Sequence, residues 1–195
     1  MRYYHGTSYP FARRICSSRN EGFSSPNKKT IYTDSDPNVT YFISEQYDLD
    51  DKSELTTISL AVKYGQIAAA LYGNINDKIV IFELTIDDTY MTPDMTCKES
   101  HMYQIDSQLL NHLLQTGKAT IKAYACKNAF TPKLCYFYLA QSNAKNYANL
   151  DEFSEKIVKI LHENNQNCDF IKDKIGTYTE IKDFIYPIYI SKNTN

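Results

Sequence analysis

Three consecutive residues, His5, Gly6 and Thr7, have the types and spacing of a small-molecule site. They follow Tyr3 and Tyr4, whose strand propensity predicts a β-strand with His5 near its end. An imidazole can donate or accept a hydrogen bond, and glycine exposes its peptide groups because it has no side chain. The pair can therefore offer an imidazole and bare backbone to one ligand. The alternative is a histidine that caps a turn after an edge strand.

Later blocks of sequence predict the elements that must position this tripeptide. Residues 31–34 predict a strand that runs into a turn. Residues 36–43 predict the start of a helix, because Asp36 can cap it and Pro37 is favoured in its first turn. Residues 79–86 form a nearly continuous apolar run, which predicts a strand buried on both faces.

In chain order, these blocks resemble the His-Tyr-Glu branch of the ADP-ribosyltransferase superfamily, which includes the catalytic domain of poly(ADP-ribose) polymerases and the rifampin ADP-ribosyltransferases. The family pattern is a strand with His-Gly-Ser/Thr, a strand with Tyr, a helix with a second aromatic residue, and a strand with Glu. The corresponding residues here are His5-Gly6-Thr7, Tyr32, Tyr41 and Glu99, and the resemblance covers roughly residues 3–110. It implies an α+β fold with a split, mostly antiparallel β-sheet core, flanking helices and a C-terminal α/β extension.

The resemblance also implies NAD as a substrate and a role for each residue. Gly6 would hold the nicotinamide carboxamide through its backbone, and His5 would bond the adenosine ribose. Tyr32 and Tyr41 would stack on nicotinamide. Glu99 would bond the nicotinamide ribose and stabilise the cation that forms when the glycosidic bond breaks.

The remaining assignments concern the edges of the site. Thr7 stands where the family has Ser or Thr. Arg14, with Arg13 and Arg19, is a candidate for the NAD pyrophosphate, but surface arginines are more often simply solvated. A one-residue shift would give the role of Tyr41 to Phe42.

The identity of the catalytic carboxylate stays open between four acids. Glu99 follows the turn at Pro93, whereas Glu83 lies within the predicted buried strand. Asp87 and Asp88 are also candidates, because rifampin-type enzymes have an Asp after the corresponding strand.

Other chemistries find little support in the sequence. Cys97 and His101 are four residues apart, but no further ligands at fixed spacing complete a metal site. No nucleotide-binding GxGxxG or P-loop motif occurs.

Length, charge and cysteine content limit the domain organisation and the kinds of partner. The 195 residues suit a catalytic domain at 1–127 and a C-terminal extension or subdomain at 128–195. A net charge of −2 with scattered lysines does not favour nucleic acid as a partner, and no apolar run of about 18 residues predicts a membrane span. Five cysteines without a CxxC pair predict free thiols. We expect a cytoplasmic protein, or one secreted into a host cell without a classical signal peptide.

These observations predict an NAD-dependent mono-ADP-ribosyltransferase that modifies a protein, and such an enzyme could be a bacterial effector or toxin. The alternative is a catalytically inactive member of the fold that engages a partner protein through the Tyr-rich segment 128–195. A third possibility, an RNA 2′-phosphotransferase of the same fold, is opposed by the near-neutral charge.

Further secondary structure is predicted from local patterns. The predicted helices are 11–15, 66–72, 106–114 with Asp106 as its cap and Gly117 as its end, and the amphipathic 150–162; the predicted strands are 119–125 and 184–190, the latter interrupted by Pro187 and therefore at an edge.

Overall fold

The computed structural model describes residues 1–16, 22–24, 31, 35–46, 57–72, 77–95 and 101–126, together with the backbone of 185–187. The strands are β1 (Arg2–Ser8), β2 (Val39–Ser44), β3 (Ile79–Thr85), β4 (Thr92–Pro93), β5 (Met102–Asp106), β6 (Thr120–Cys126) and β7 (Ile185–Pro187). The helices are α1 (Tyr9–Ile15), α2 (Thr57–Tyr72) and α3 (Ser107–Gln115). Two short 3₁₀ turns span Gly22–Ser24 and Asp88–Tyr90.

Within the described residues the strands form one antiparallel sheet in the order β4-β5-β2-β1-β3-β6-β7. The predicted α+β class and antiparallel sheet are therefore confirmed. The strands belong to one sheet, but the contact between β1 and β2 is short. Whereas β1 pairs with β3 along all seven of its residues, it pairs with β2 only at Tyr3 and Tyr4.

The two faces of the sheet are covered by different helices. Tyr3, Phe42 and Phe82 lie on one face, in a buried core that also contains residues of α1, the Gly22–Ser24 turn and α3. The opposite face of β1 packs against α2, in which nearly every residue is buried. His5 lies on the first face and Gly6 on the second, because side chains alternate along a strand.

Gly6 is the point of closest approach between β1 and α2. A Cβ built on Gly6 would overlap the carbonyl oxygen of Ala61 and would lie 3.1 Å from the amide nitrogen of Gly65. A Cβ on Gly65 would overlap the Ile79 side chain and lie 3.1 Å from the Thr7 backbone. The absence of a side chain at Gly6 is therefore required by helix packing, whatever it does for a ligand.

The prediction of a helix at 36–43 is wrong, because most of this block is strand β2. Its apolar core is β-branched and aromatic, and five of its residues pair with β5. The Asp36 carboxylate does cap a turn, since it accepts from the amide of Asn38 at 2.8 Å. That turn leads into a strand instead of a helix.

Most of the other predicted elements are confirmed. Strand β3 is buried along nearly its whole length, and α1 contains the short helix predicted at 11–15. The side chain of Asp106 caps α3 by accepting from the amide of Leu109 at 2.8 Å, and Gly117 beyond its end has a φ of 72°. Strand β7 ends at Pro187 on the edge of the sheet.

Some predictions fall outside the described residues, and others stay untested. The helix predicted at 150–162 lies outside, as does most of the strand predicted at 31–34. The division at residue 127 stays a prediction, although β7, from the second segment, joins β6 of the first. No described helix has the length and apolar character needed to cross a membrane.

Candidate functional site

The sheet opens between its two central strands at the position of His5. Pairing of β1 with β2 stops at Tyr4, which faces Ile43. Beyond this point β2 continues its pairing with β5 down to Val39, and β1 continues its pairing with β3 to Ser8. His5 therefore lies in the middle of β1, and the prediction that it lies near the strand end is corrected. The interruption in the sheet lies between β1 and β2.

Gly6 directs its peptide groups into this opening. The carbonyl of Arg2 accepts from the amide of Glu45 at 3.0 Å, so the peptide groups of Arg2 point toward β2. Peptide directions alternate along an antiparallel strand, so those of Tyr4 and Gly6 point the same way. Tyr4 has a partner in Ile43, whereas Gly6 has no β2 partner in the register of the described strands. One N–H donor and one C=O acceptor of Gly6 thus face the gap.

The imidazole of His5 bridges the opening. Its Nδ1 lies 2.9 Å from the carbonyl oxygen of Tyr41, the residue that would face Gly6 if the ladder continued. Because a carbonyl oxygen only accepts, Nδ1 must carry the proton, and in the neutral ring Nε2 is the acceptor. The side chain of His5 thus replaces a ladder hydrogen bond and holds the two strands at this separation.

Three phenylalanine rings surround the half-buried imidazole. The ring centroids of Phe42, Phe23 and Phe82 lie 5.6, 5.9 and 6.5 Å from that of His5. Phe23 makes an edge-to-face contact, and all three phenylalanines are at most 3% exposed. These contacts restrict the rotation of the imidazole and fix where Nε2 points.

Tyr41 and Phe42, the two alternatives of the sequence analysis, lie on opposite faces of β2. Phe42 is fully buried against His5. Tyr41 is half-buried, and its hydroxyl accepts from the amide of Asp36 at 3.0 Å. The structure thus brings Tyr41, Gly6 and His5 together, and gives Phe42 a packing role.

Thr7 and Arg14 have different surroundings. Thr7 is 6% exposed and follows Gly6 on the face of His5. Arg14 is exposed in the last turn of α1, with its guanidinium 5.4 Å from the ring centroid of Phe11. No described contact joins Arg14 to His5, so its assignment to pyrophosphate stays a prediction.

The rival carboxylates within the described residues are engaged away from His5. Glu83 follows Phe82 and so lies on the opposite face, where its Oε2 is 3.4 Å from the hydroxyls of Tyr4 and Tyr124. Burial, and next the charge of Glu83, raise the pKa of Tyr4 to about 12. Glu83 thus lies near two tyrosine hydroxyls, on the face of the sheet that packs against α2.

The two aspartates after β3 have local partners. The amide of Thr89 donates to Asp87 at 2.9 Å and lowers the pKa of this exposed carboxylate. Asp88 accepts from the hydroxyl of Tyr3 at 3.1 Å and lies 3.2 Å from the Met1 ammonium. Burial, followed by the charge of Asp88, raises the pKa of Tyr3.

Ser8 has a buried hydroxyl at the far end of the opening. The residue is fully buried, and within the described part of the chain its Oγ has no hydrogen-bond partner. It occupies the cap position of α1 without making a side-chain cap bond. Such a hydroxyl destabilises the fold unless something else satisfies it.

Two predicted site residues, Tyr32 and Glu99, lie outside the described residues, as does Cys97. Among the residues that are described, no group of three His, Cys, Asp or Glu side chains is arranged to hold a metal ion. Phe23 was missed by sequence reasoning, because its contact with His5 joins two separate elements, β1 and the Gly22–Ser24 turn. A lone aromatic residue beside Gly22 is only a weak signal of such a contact.

Comparison of the chain with protein-family models, curated proteins and solved structures found no match.

Proposed function

We propose that this protein is an NAD-dependent mono-ADP-ribosyltransferase that modifies a protein. The observation that carries the proposal is the opening of the sheet at Gly6, where one N–H and one C=O face a gap that His5 bridges. A primary carboxamide has the matching acceptor and donor, so it can pair with both groups of one strand residue. Nicotinamide carries this group, and the resembled family holds it in this manner.

The proposal also assigns the two aromatic residues of the family pattern. The pattern has a tyrosine on a strand and a second aromatic on the following helix. Tyr41 is on β2, and α2 follows β2 in the chain. Tyr64 on α2 is 8% exposed and neighbours Gly65, which packs against β1. We therefore assign the strand position to Tyr41 and the helix position to Tyr64, in place of Tyr32 and Tyr41.

Glu99 remains the proposed catalytic carboxylate. It precedes β5, the strand that pairs with β2 on the side away from β1. The engagement of Glu83 with phenols on the α2 face, and of Asp87 with its own turn, supports this choice.

The reaction breaks the bond between nicotinamide and ribose and places positive charge on the sugar. Holding nicotinamide at Gly6 would fix the leaving group, and His5 would bind the adenosine ribose through its Nε2 acceptor. A carboxylate near the developing charge would lower the barrier. The acceptor side chain of the target protein then takes the ADP-ribosyl group and loses a proton.

Nicotinamide release from NAD, with and without cell lysate, tests the proposal. We expect release by the wild-type chain, and a fall on the order of 100-fold for Glu99→Gln, since one charge near the transition state is worth about 3 kcal/mol. Tyr64→Ala should weaken NAD binding, and Lys118→Ala, an exposed change beyond the end of α3, is the matched control.

Binding without release would point to the alternative, a partner-binding module. NAD at about 100 times its dissociation constant should raise the unfolding free energy by about 2.7 kcal/mol if it binds the folded state. A chain that NAD neither stabilises nor reacts with would contradict the proposed function.

A further inference from the structure

Asn111 on α3 makes two side-chain hydrogen bonds to the Gly22–Ser24 turn. The Asn111 Oδ1 accepts from the amide of Phe23 at 3.0 Å, and its Nδ2 donates to the hydroxyl of Ser24 at 2.8 Å. Asn111 is 9% exposed; its bond to the Phe23 amide is buried, and its bond to the Ser24 hydroxyl is partly buried. An amide side chain that uses its acceptor and its donor on two successive residues fixes the orientation of the turn.

The turn is shaped to receive this side chain. Gly22 has a φ of 62°, in the left-handed region that favours glycine. A Cβ at Gly22 would also overlap the Asn111 Oδ1 and lie 3.0 Å from its Cγ. Both the backbone conformation and the lack of a side chain at Gly22 therefore allow Asn111 to reach the turn.

This arrangement fixes the position of Phe23. Its ring is 3% exposed and makes the edge-to-face contact with His5, and it also packs against Phe42 and Phe82 at 6.2 and 5.6 Å. Phe42 and Phe82 lie on strands of the sheet, whereas Phe23 lies in the Gly22–Ser24 turn. One of the three phenylalanine rings around His5 is thus placed by the turn that Asn111 binds.

We propose that Asn111 is a positioning residue for His5, acting through Phe23. This positioning role rests on the proposed function only in its expected effect on nicotinamide release. Asn111 fixes the turn, the turn presses the Phe23 ring against the imidazole, and the ring keeps Nδ1 on the carbonyl of Tyr41. Nε2 is thereby held in one direction before any ligand arrives.

The test compares Asn111→Leu with Asn111→Asp. Leucine has a similar size but makes neither bond. An aspartate keeps both, because its carboxylate can accept from the Phe23 amide and from the Ser24 hydroxyl. We expect Asn111→Leu to lower kcat/KM for nicotinamide release on the order of tenfold, as misplacement of a substrate-contacting group does. Asn111→Asp should keep most of the wild-type kcat/KM.

Nitrogen NMR of the His5 ring gives a readout that stability alone does not change. The wild-type spectrum should show a single Nδ1-protonated form, assigned with His5→Gln. Asn111→Leu and Phe23→Leu should both replace it with a mixture of tautomers. Leu113→Ala is the control, since it makes a cavity in the same core but leaves both hydrogen bonds of Asn111 to the turn in place.

The outcomes separate the two proposals. Wild-type His5 signals in both Asn111→Leu and Phe23→Leu would overturn the positioning role, even if both variants are less stable. If Asn111→Leu does not fold, Ser24→Ala, which removes the acceptor of the Asn111 Nδ2, replaces it in the comparison with the same expected and contradicting results. If the wild-type chain releases no nicotinamide, the proposed function fails, while the NMR comparison still decides whether Asn111 positions His5.

Discussion

Replacing Ser8 by alanine should make the protein more stable. The hydroxyl is fully buried and has no partner among the described residues, and it makes no cap bond to α1. Alanine therefore loses no hydrogen bond and removes a desolvated polar atom, whose burial costs about 1–3 kcal/mol. The small void left by the oxygen offsets part of this gain. We expect the free energy of unfolding to rise by about 1 kcal/mol.

The assay is urea unfolding followed by circular dichroism, with calorimetry for the melting temperature. A gain of about 1 kcal/mol should raise Tm by about 2–4 °C in a chain of this size. The matched control is Ser107→Ala. Ser107 is 1% exposed, but its Oγ lies 2.8 Å from the Oγ1 of Thr40.

The same chemical change should therefore have opposite signs at the two serines. Ser107→Ala leaves the Thr40 hydroxyl without this partner and should destabilise the protein by about 1–3 kcal/mol. Equal destabilisation by both variants would refute the reasoning, because it would mean that the Ser8 hydroxyl has a partner, such as a buried water.

Gly6→Ala should destabilise the protein by about 3 kcal/mol in urea unfolding, because the new methyl group meets helix backbone that cannot rotate away; a loss below about 1 kcal/mol would show that α2 can shift. Glu83→Gln should keep nicotinamide release within about twofold of wild type while Glu99→Gln loses it, and the reverse result would transfer the catalytic role to Glu83. Hydrogen bonds from the backbone N–H of Arg2, and next from its side chain, lower the pKa of Glu45 below 4.5. The ionised Glu45 therefore stabilises the fold above pH 4.5, and this stabilisation is lost as the pH falls through the lowered pKa. Glu45→Gln should accordingly lower stability at pH 7 more than at pH 3, and an equal loss at both would contradict the linkage.

Elements with strong local signals could be predicted from the sequence. The apolar run of β3 is buried on both faces, and the cap at Asp106 with Gly117 beyond the end bounds α3 closely. In these cases the residue pattern and the tertiary environment favour the same structure. The residues around Asp36 and Pro37 show the opposite case, since good helix-start signals are overridden by pairing with β5, which no local pattern reveals.

The candidate site could be predicted in part. His5 and Gly6 were identified by type and spacing, and they do lie where the sheet opens. The opening itself could not be predicted, because it depends on where two strands far apart in sequence stop pairing. The sequence also suggested one reason for Gly6, ligand approach, whereas its contact with Ala61 supplies a second. Substitutions at Gly6 will therefore not separate binding from folding.

The central place of β1 in the sheet has a consequence for how the protein is made. Tyr4 on β1 contacts Glu83 on β3, 79 residues later in the chain. At about 5–20 residues per second, the ribosome needs about 4–16 s to supply this partner after Tyr4 has been synthesised. During that interval the only sheet partner of β1 available in the chain is β2, which pairs with it at Tyr3 and Tyr4, so the edge that later pairs with β3 stays open, and an open strand edge is prone to aggregation. Folding that depends on such distant contacts is intrinsically slow. We therefore expect the nascent chain to need a chaperone until β3 has emerged, and expression at lower temperature to improve the yield of folded protein.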